Sequence, residues 1–579
     1  MGEATSSKPR GLAKLSQSLP FWLLVALAVL AVVMLVETPR YALGDDNVQA
    51  LFVSGRYLNE PSLLMPYTLA PLSVPMALAY RALPQIPWYP LVLSALTVVS
   101  YGVALRQAAS ADAPAFARRA AVVVLLALEV ACTLFFTYTV VAFLAVAAGL
   151  SLLLPKACFG DARGVRARDV WGLVLVAAGF SLRPESGLAT LVVFSPFLVW
   201  ALVFCRRPAT LARAAAVVVA VAACYGAGML AYQTTPGWEG FVDYLNVGRN
   251  VLDFPEASVA DMQAAVPELS ENDVLMLQDW NFVDSSVFSD DVFVRAQAAV
   301  PHYSASYART ALAAKRSWAT LALGLAFVAL SVALARARRS SLSSTLLTVA
   351  VGALGALSYL LVILRARPKF QVLLPIAVVT LMALVVCCSA PRARAGRHAS
   401  RAAQDGGGRR PAVLGRVGLC VVVLACAGAL GYFHHAIIRP IHALIGSELS
   451  ENANAYVRDN PDTLVVAAQT QTSLFGYDVW GFERWQYPDN LLMVGGWESH
   501  TAPWGSFLSR WGLTRDDTLT ALATRDDMVA LLLPSTAELF QTYLQEHVNP
   551  DVRMELVETV GEGVSLGTPN SVYRFTIPS

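Results

Sequence analysis

The sequence predicts an all-α polytopic membrane bundle of about eleven transmembrane helices, followed by a small C-terminal extracytoplasmic α/β domain. Three observations predict it. The chain is 56% hydrophobic and only 15% charged over 579 residues, outside the range of an ordinary soluble protein. Apolar runs of spanning length recur from residue 20 to residue 438, each near the roughly 20 residues that cross a bilayer. From residue 440 onward the pattern changes to short β-rich runs separated by amphipathic ones, the signature of a mixed sheet.

The expected spans are 20–37, 88–105, 120–136, 138–154, 170–183, 186–205, 214–233, 318–336, 344–364, 370–390 and 418–438. The first follows a basic N-terminus, residues 1–19, and lacks a small-residue cleavage site, so it reads as a retained helix. Lys and Arg concentrate in cytoplasmic loops. With the N-terminus inside, the large basic clusters, including the linker 391–417, alternate onto one side. That agreement requires the apolar stretch 69–84 not to cross. Pro71, Pro75 and Arg81 within it, and Trp88 and Tyr89 just beyond, suit a helix lying at the interface.

Within the transmembrane domain, 20–438, two exterior loops then carry polar residues, 37–87 and 234–317; the domain 440–579 follows. In that last domain strands are expected at Leu464, Leu491, Met528, Arg553 and Ser571, the final two as an antiparallel pair. The eight cysteines all lie in apolar runs or the basic loops beside them, so no disulfide framework is expected.

The acids Asp45 and Asp46 open the first exterior loop just past a membrane helix. A carboxylate there can serve as general base toward an acceptor hydroxyl, and a divalent metal is the one cofactor such a pair would admit. The bland alternative is a solvated turn with an N-cap, since Gly-Asp-Asn sequences do both. A second set breaks the charge rule: Arg365, Arg367 and Lys369 fall in an outward turn between two late spans, where guanidinium groups can grip a lipid-borne phosphate. Arg183 with Glu185 reads as a structural pair. Glu129 is the one acid inside an apolar span and needs a partner or a proton. In the second loop Arg249, Asp253 and Trp280 offer charge, hydrogen bonds and a ring, a set suited to sugars. His434 and His435, adjacent on a helix, make a poor metal pair.

Taken with Ser54-Gly55, Pro87-Trp88-Tyr89, Arg183-Pro184, Asn246, Ser270-Glu-Asn-Asp273 and Trp280, the acid pair resembles the arrangement of the GT-C superfamily, polyprenyl-phosphate-sugar-dependent glycosyltransferases. The His-Pro-Pro motif that many members carry is replaced here by Pro66-Tyr-Thr-Leu-Ala-Pro71. The resemblance implies a GT-C-like bundle in a bacterial plasma membrane, with a first-loop acid as base and the outer basic turn holding the carrier phosphate. Its implied partners are a polyprenyl-phosphate sugar donor, membrane lipids, and a glycan, lipid or protein acceptor; no nucleic acid is expected. Two other classes remain open: a transporter or flippase of lipid-linked sugars, and a non-catalytic assembly protein.

Overall fold

The computed structural model describes residues 17–38, 40–159, 166–205, 208–254, 256–302, 342–365, 369–388, 409–444, 448–468, 479–480, 487–560 and 570–578. Arg367 and the expected span 318–336 lie outside the described residues.

The first part of the chain forms α1 (Leu19–Val36), α2 (Gly44–Ser54), α3 (Ala70–Ala82), α4 (Trp88–Ser110), α5 (Ala115–Leu134), α6 (Tyr138–Phe159), α7 (Ala167–Leu182), α8 (Pro184–Trp200) and α9 (Pro208–Thr234). Proline in the first turn starts α1, α3 and α8, where its missing N–H is no loss. Helix α2 stops at Gly55, whose φ of +79° suits glycine. The next segment carries α10 (Phe241–Leu252), α11 (Val259–Ala265), α12 (Glu271–Gln278) and α13 (Asp290–Ala296). Helices α14 (Leu342–Leu364), α15 (Phe370–Cys387) and α16 (Arg409–Phe433) follow, then α17 (Arg439–Leu444) and α18 (Glu448–Asp459). The C-terminal end of the expected linker 391–417 is therefore already helical from Arg409.

Seven described helical segments are long and apolar enough to cross a membrane: Leu19–Val36, Trp88–Ser110, Pro184–Phe204, Pro208–Thr234, Ser344–Leu364, Phe370–Cys387 and Arg416–His442. This gives the chain multi-pass helical membrane character; among the described residues, three of the expected spans, 120–136, 138–154 and 170–183, are not among these seven. For two of these three the difference has a physical cause. Helix α5 carries Arg118, Arg119 and Glu129. Helix α7 has 16 residues, a rise of about 24 Å against a hydrocarbon core near 30 Å. Helix α3, at 13 residues, rises only about 20 Å, too little to cross unaided.

Helix α6 is buried at every position but one from Tyr138 to Leu154, and 78% of the α15 apolar window is buried, whereas the corresponding windows of α1 and α9 are 17% buried and present leucines and valines outward. Helices α6 and α7 touch through glycine. A Cβ on Gly149 would lie 2.5 Å from the Gly172 carbonyl oxygen, and one on Gly179 would lie 2.8 Å from that of Ala142. Small residues allow this approach, as membrane helix pairs commonly use.

The C-terminal unit adds β1 (Leu464–Ala468), β2 (Leu491–Val494), α19 (Ala502–Arg510), α20 (Thr518–Thr524), β3 (Met528–Leu532), α21 (Pro534–His547), β4 (Arg553–Val560) and β5 (Asn570–Thr576). The sheet order is β2-β1-β3-β5-β4. Strands β2, β1 and β3 are parallel and wholly buried, as continuous apolar runs require. Strands β5 and β4 close it antiparallel, with β4 the exposed edge. All five strands fall where the sequence places them.

This unit packs on the same end of the bundle as both polar loops. The Tyr487 N–H donates to the Arg56 carbonyl at 3.2 Å, Arg510 to that of Leu58 at 2.6 Å, and Trp480 to the Met34 sulfur at 3.2 Å. Asn272 donates to the Leu539 carbonyl at 3.0 Å, and the Tyr543 hydroxyl to Asp284 at 2.9 Å.

Candidate functional site

Asp45 and Asp46 occupy the first turn of α2, where a helix end favours negative charge. Adjacent residues on a helix diverge, and here they part company. Asp46 is fully buried; its Oδ1 accepts from the Tyr89 hydroxyl at 3.0 Å and from the Tyr138 backbone N–H at 2.8 Å. It thereby caps the N-terminus of α6 from another part of the chain. Thr137 also lies beside this carboxyl, without reaching full hydrogen-bond geometry. Burial pushes the Asp46 carboxyl up to about 7 against the pull of Thr137, the Tyr138 N–H and Tyr89, and the charge of Asp45 adds to the rise.

Asp45 is half-buried and turned toward cations. The Tyr138 hydroxyl reaches its Oδ2 at 3.5 Å, and Arg183 donates to that same hydroxyl and to Thr139 Oγ1 at 2.8 Å. Desolvation raises the Asp45 carboxyl above its usual range. Arg183, Lys369 and Arg249 oppose that rise, and Asp253 reinforces it. These electrostatic neighbours come from four places: the α7–α8 turn, the turn before α15, α10, and the residue that ends α10. Of the sequence-distant basic turn, Lys369 is thus an electrostatic neighbour of the first-loop acid.

The cations are held in detail. Lys369 Nζ sits 2.8 Å from Asp253 Oδ1. Arg249 pairs with Glu185 at 2.5 Å, while Arg183 lies 3.8 Å from the other Glu185 oxygen. The Arg183 and Arg249 guanidiniums both lie over the Tyr67 ring, at 5.4 and 5.2 Å from its centroid, within cation–π range. Arg183 also lies 5.0 Å from the Tyr138 ring centroid. Tyr67 takes a φ of +67°, a left-handed conformation that costs a non-glycine residue about 1–3 kcal/mol.

Its neighbours enforce that conformation. Thr68 Oγ1 donates to Gln49 at 2.6 Å and approaches the Leu182 carbonyl at 3.1 Å; Leu69 N–H donates to the Ser181 carbonyl at 2.7 Å, and the Tyr232 hydroxyl reaches the Met65 carbonyl at 2.5 Å.

Of the residues singled out by sequence, Asp45, Arg249, Asp253 and Lys369 converge. Asp46 adjoins them as an anchor, and Arg365 stacks over Phe254, 5.7 Å from its centroid. Arg183 and Glu185, read from sequence as a structural pair, belong to the cluster. Trp280 belongs elsewhere. It has a φ of +65° and packs edge-on against Trp497 at 5.4 Å, and its carbonyl accepts from the Gly496 N–H at 3.2 Å. Tyr67 and Tyr138 were missed by sequence reading. Their only signals are aromatic residues next to Pro66 and Thr137, and neither forms a recognisable motif.

Three other places gather polar side chains. Among the described residues, one group of three has metal-ligand chemistry: Asp273, Glu546 and His547, with ligand atoms within 4.8 Å of one another. It joins α12 to α21, and His547 already bonds Asp273 at 2.7 Å. No third His, Cys, Asp or Glu completes such a group at Asp45 and Asp46 among the described residues. A depression of about 270 Å³ opens between the second loop and α21, lined by Glu256, Gln278, Asp279 and Thr536; none of these residues belongs to the Asp45 cluster. Glu37 receives both His434 and His442 at 3.4 Å, so His434 finds its partner histidine one turn or more away rather than in His435.

No protein-family model, no curated protein and no solved structure matches this chain.

Proposed function

We propose that the protein is a membrane glycosyltransferase that moves a sugar from a polyprenyl-phosphate carrier to a glycan, lipid or protein acceptor. In this reading it lies in a bacterial plasma membrane with its N-terminus cytoplasmic and residues 440–579 outside. One observation carries the proposal: a half-buried carboxylate, Asp45, shares a cluster with Arg183, Arg249 and Lys369 beside a bundle of membrane helices. Asp45 would take the proton of the acceptor hydroxyl as the bond from sugar to phosphate breaks. The electron pair of that bond leaves on the phosphate oxygen, and the fixed cations stabilise the developing charge. Arg183 is best placed to do so, because its ion pair with Glu185 is long.

A transporter of lipid-linked sugars is the second reading. It is favoured by the buried Glu129, whose carboxyl oxygens meet no hydrogen-bond partner; ionisable groups inside a bundle commonly mark transport paths.

The test uses full-length protein in nanodiscs with radiolabelled polyprenyl-phosphate sugars and a panel of hydroxyl acceptors. Transfer that Asp45→Asn lowers at least a hundredfold supports the transferase. Transfer by Asp45→Asn at the wild-type rate removes Asp45 from catalysis and with it this reading.

A further inference from the structure

Helix α12 opens on Ser270-Glu-Asn-Asp273, a reciprocal capping box. The Asp273 N–H donates to Ser270 Oγ at 3.0 Å, and the Ser270 N–H donates to Asp273 Oδ2 at 2.9 Å. The box fixes a carboxyl that is only 1% exposed, and its other oxygen, Oδ1, faces the last turn of α21. There His547 Nε2 lies 2.7 Å away, from a residue 274 positions further along the chain. Glu546 comes to the same place: its Oε2 stands 4.0 Å from His547 Nε2 and accepts from Ser270 Oγ at 2.7 Å. Neighbours on a helix normally diverge, but these two, at the end of α21, converge.

Two carboxylates thus share one imidazole. Among the described residues neither Asp273 nor Glu546 pairs with a lysine or arginine; His547 is the partner of both. An imidazole carries at most one positive charge, so the group keeps surplus negative charge even with His547 protonated. At 4.0 Å Glu546 also lies beyond hydrogen-bond reach of that ring. The arrangement instead offers three ligand atoms, one nitrogen and two oxygens, all within 4.8 Å of one another. Around a tetrahedral ion with bonds of about 2.0–2.1 Å, ligand atoms stand roughly 3.3–3.4 Å apart. The separations of 2.7 and 4.0 Å fall on either side of that figure. The Glu546 and His547 side chains, 36% and 28% exposed, have solvent to move into, while the capping box holds Asp273 in place. Ser270 orients both carboxylates, as outer-shell donors do around metal ligands. One imidazole with two carboxylates suits Zn²⁺ better than Ca²⁺ or Mg²⁺, which prefer oxygen alone.

We propose that Asp273, Glu546 and His547 bind a zinc ion that clips the second loop to the C-terminal α/β unit, with water from the exposed side completing the coordination. Helices α12 and α21 already meet through the Asn272 side chain and the Leu539 carbonyl at 3.0 Å. The ion adds a cross-link beside that contact. Its ligands come together only when the two helices are docked, so zinc binding and docking strengthen each other. The site is independent of the reaction proposed at Asp45, and either can fail without the other.

Hydrogen–deuterium exchange on full-length, tag-free protein in nanodiscs tests it. The protein is stripped with a chelator and then given zinc chloride, magnesium chloride or calcium chloride. Exchange is read on peptides covering α12 and the last two turns of α21, so that zinc held elsewhere, such as at Glu37 with His434 and His442, is not counted. Micromolar zinc should slow exchange in both segments at least tenfold, and the other two ions at the same concentration should not. His547→Ala should remove the zinc effect. Glu546→Gln should weaken the apparent zinc affinity at least tenfold, and it stands in should His547→Ala fail to fold. Three results would overturn the site: zinc leaves both segments unchanged in wild type, the variants are protected by zinc as wild type is, or magnesium or calcium protects as well as zinc.

Discussion

Tyr138 serves both acids of the α2 turn, and it serves them differently: its backbone N–H binds Asp46 at 2.8 Å, while its hydroxyl stands between Arg183 and Asp45. One residue at the start of α6 thus fixes the buried acid and orients the half-buried one. The two aspartates should separate cleanly in experiment. Asp45→Asn should abolish transfer with a melting temperature close to wild type. Asp46→Leu should lower stability by roughly 2–4 kcal/mol, because it leaves the Tyr89 hydroxyl and the Tyr138 N–H buried without an acceptor. Activity and thermal unfolding of the two variants, measured side by side, check the division; equal losses of stability would contradict it.

Asp46 also predicts a pH dependence of stability. Its folded carboxyl titrates near 7, raised from an ordinary value of 3.8. A raised carboxyl favours the folded state while protonated. That contribution is therefore full below about pH 4 and is lost as the pH rises through 7. Asp45 shifts in the same direction. Wild type should lose more thermal stability between pH 5 and pH 8 than Asp46→Asn, whose amide oxygen still accepts both hydrogen bonds and does not titrate. Parallel melting curves for the two proteins would refute the assignment.

Tyr67 holds two guanidiniums over one ring at the expense of a left-handed backbone. Tyr67→Ala should loosen both cations and weaken binding of the phosphate-bearing donor about tenfold, given roughly 0.5–2 kcal/mol for each cation–π contact. Tyr67→Phe keeps the ring and should bind like wild type. Donor titration by calorimetry distinguishes ring from hydroxyl.

The Lys369–Asp253 pair joins the turn before α15 to the end of α10, with the lysine side chain 38% exposed and the aspartate 7%. Partial exposure limits its strength, so a double-mutant cycle with Lys369→Met and Asp253→Asn should give a coupling of about 1 kcal/mol in stability. Lys369→Met alone should also weaken donor binding. Raised salt should shrink the coupling.

Gly495 is the hinge pin between the second loop and the C-terminal sheet. Its φ is +88°, and a Cβ there would fall 1.8 Å from the Trp280 carbonyl oxygen. Gly495→Ala must therefore push the two segments apart. A loss of at least about 2 kcal/mol is expected, together with a changed tryptophan emission from Trp280 and Trp497. Unchanged emission and stability would show that the contact is dispensable.

Much of the architecture was legible in the residue order because hydrophobic patterning is a local property. Runs of apolar residues mark the membrane helices, and the five strands begin within a residue or two of their expected positions. The first-turn acids of α2 could be seen as a charged pair beside a membrane helix. Their division of labour could not, since it depends on which side Tyr89 and Tyr138 approach from. The same holds for Arg183. In sequence it is one half of a neighbouring ion pair; in space it faces Tyr67, Tyr138 and Asp45. Trp280 failed in the opposite sense, because an aromatic residue on a polar loop looks the same whether it meets a sugar or another tryptophan.

By itself, then, the sequence determined the helical membrane character, the mixed C-terminal sheet and the identity of the acids and bases. Tertiary structure alone decided which of them meet. Local periodicity is written in neighbours three, four or two residues apart. The Asp45–Lys369 relationship spans most of the bundle and exists only after α2, α6, α7, α10 and the turn before α15 have packed.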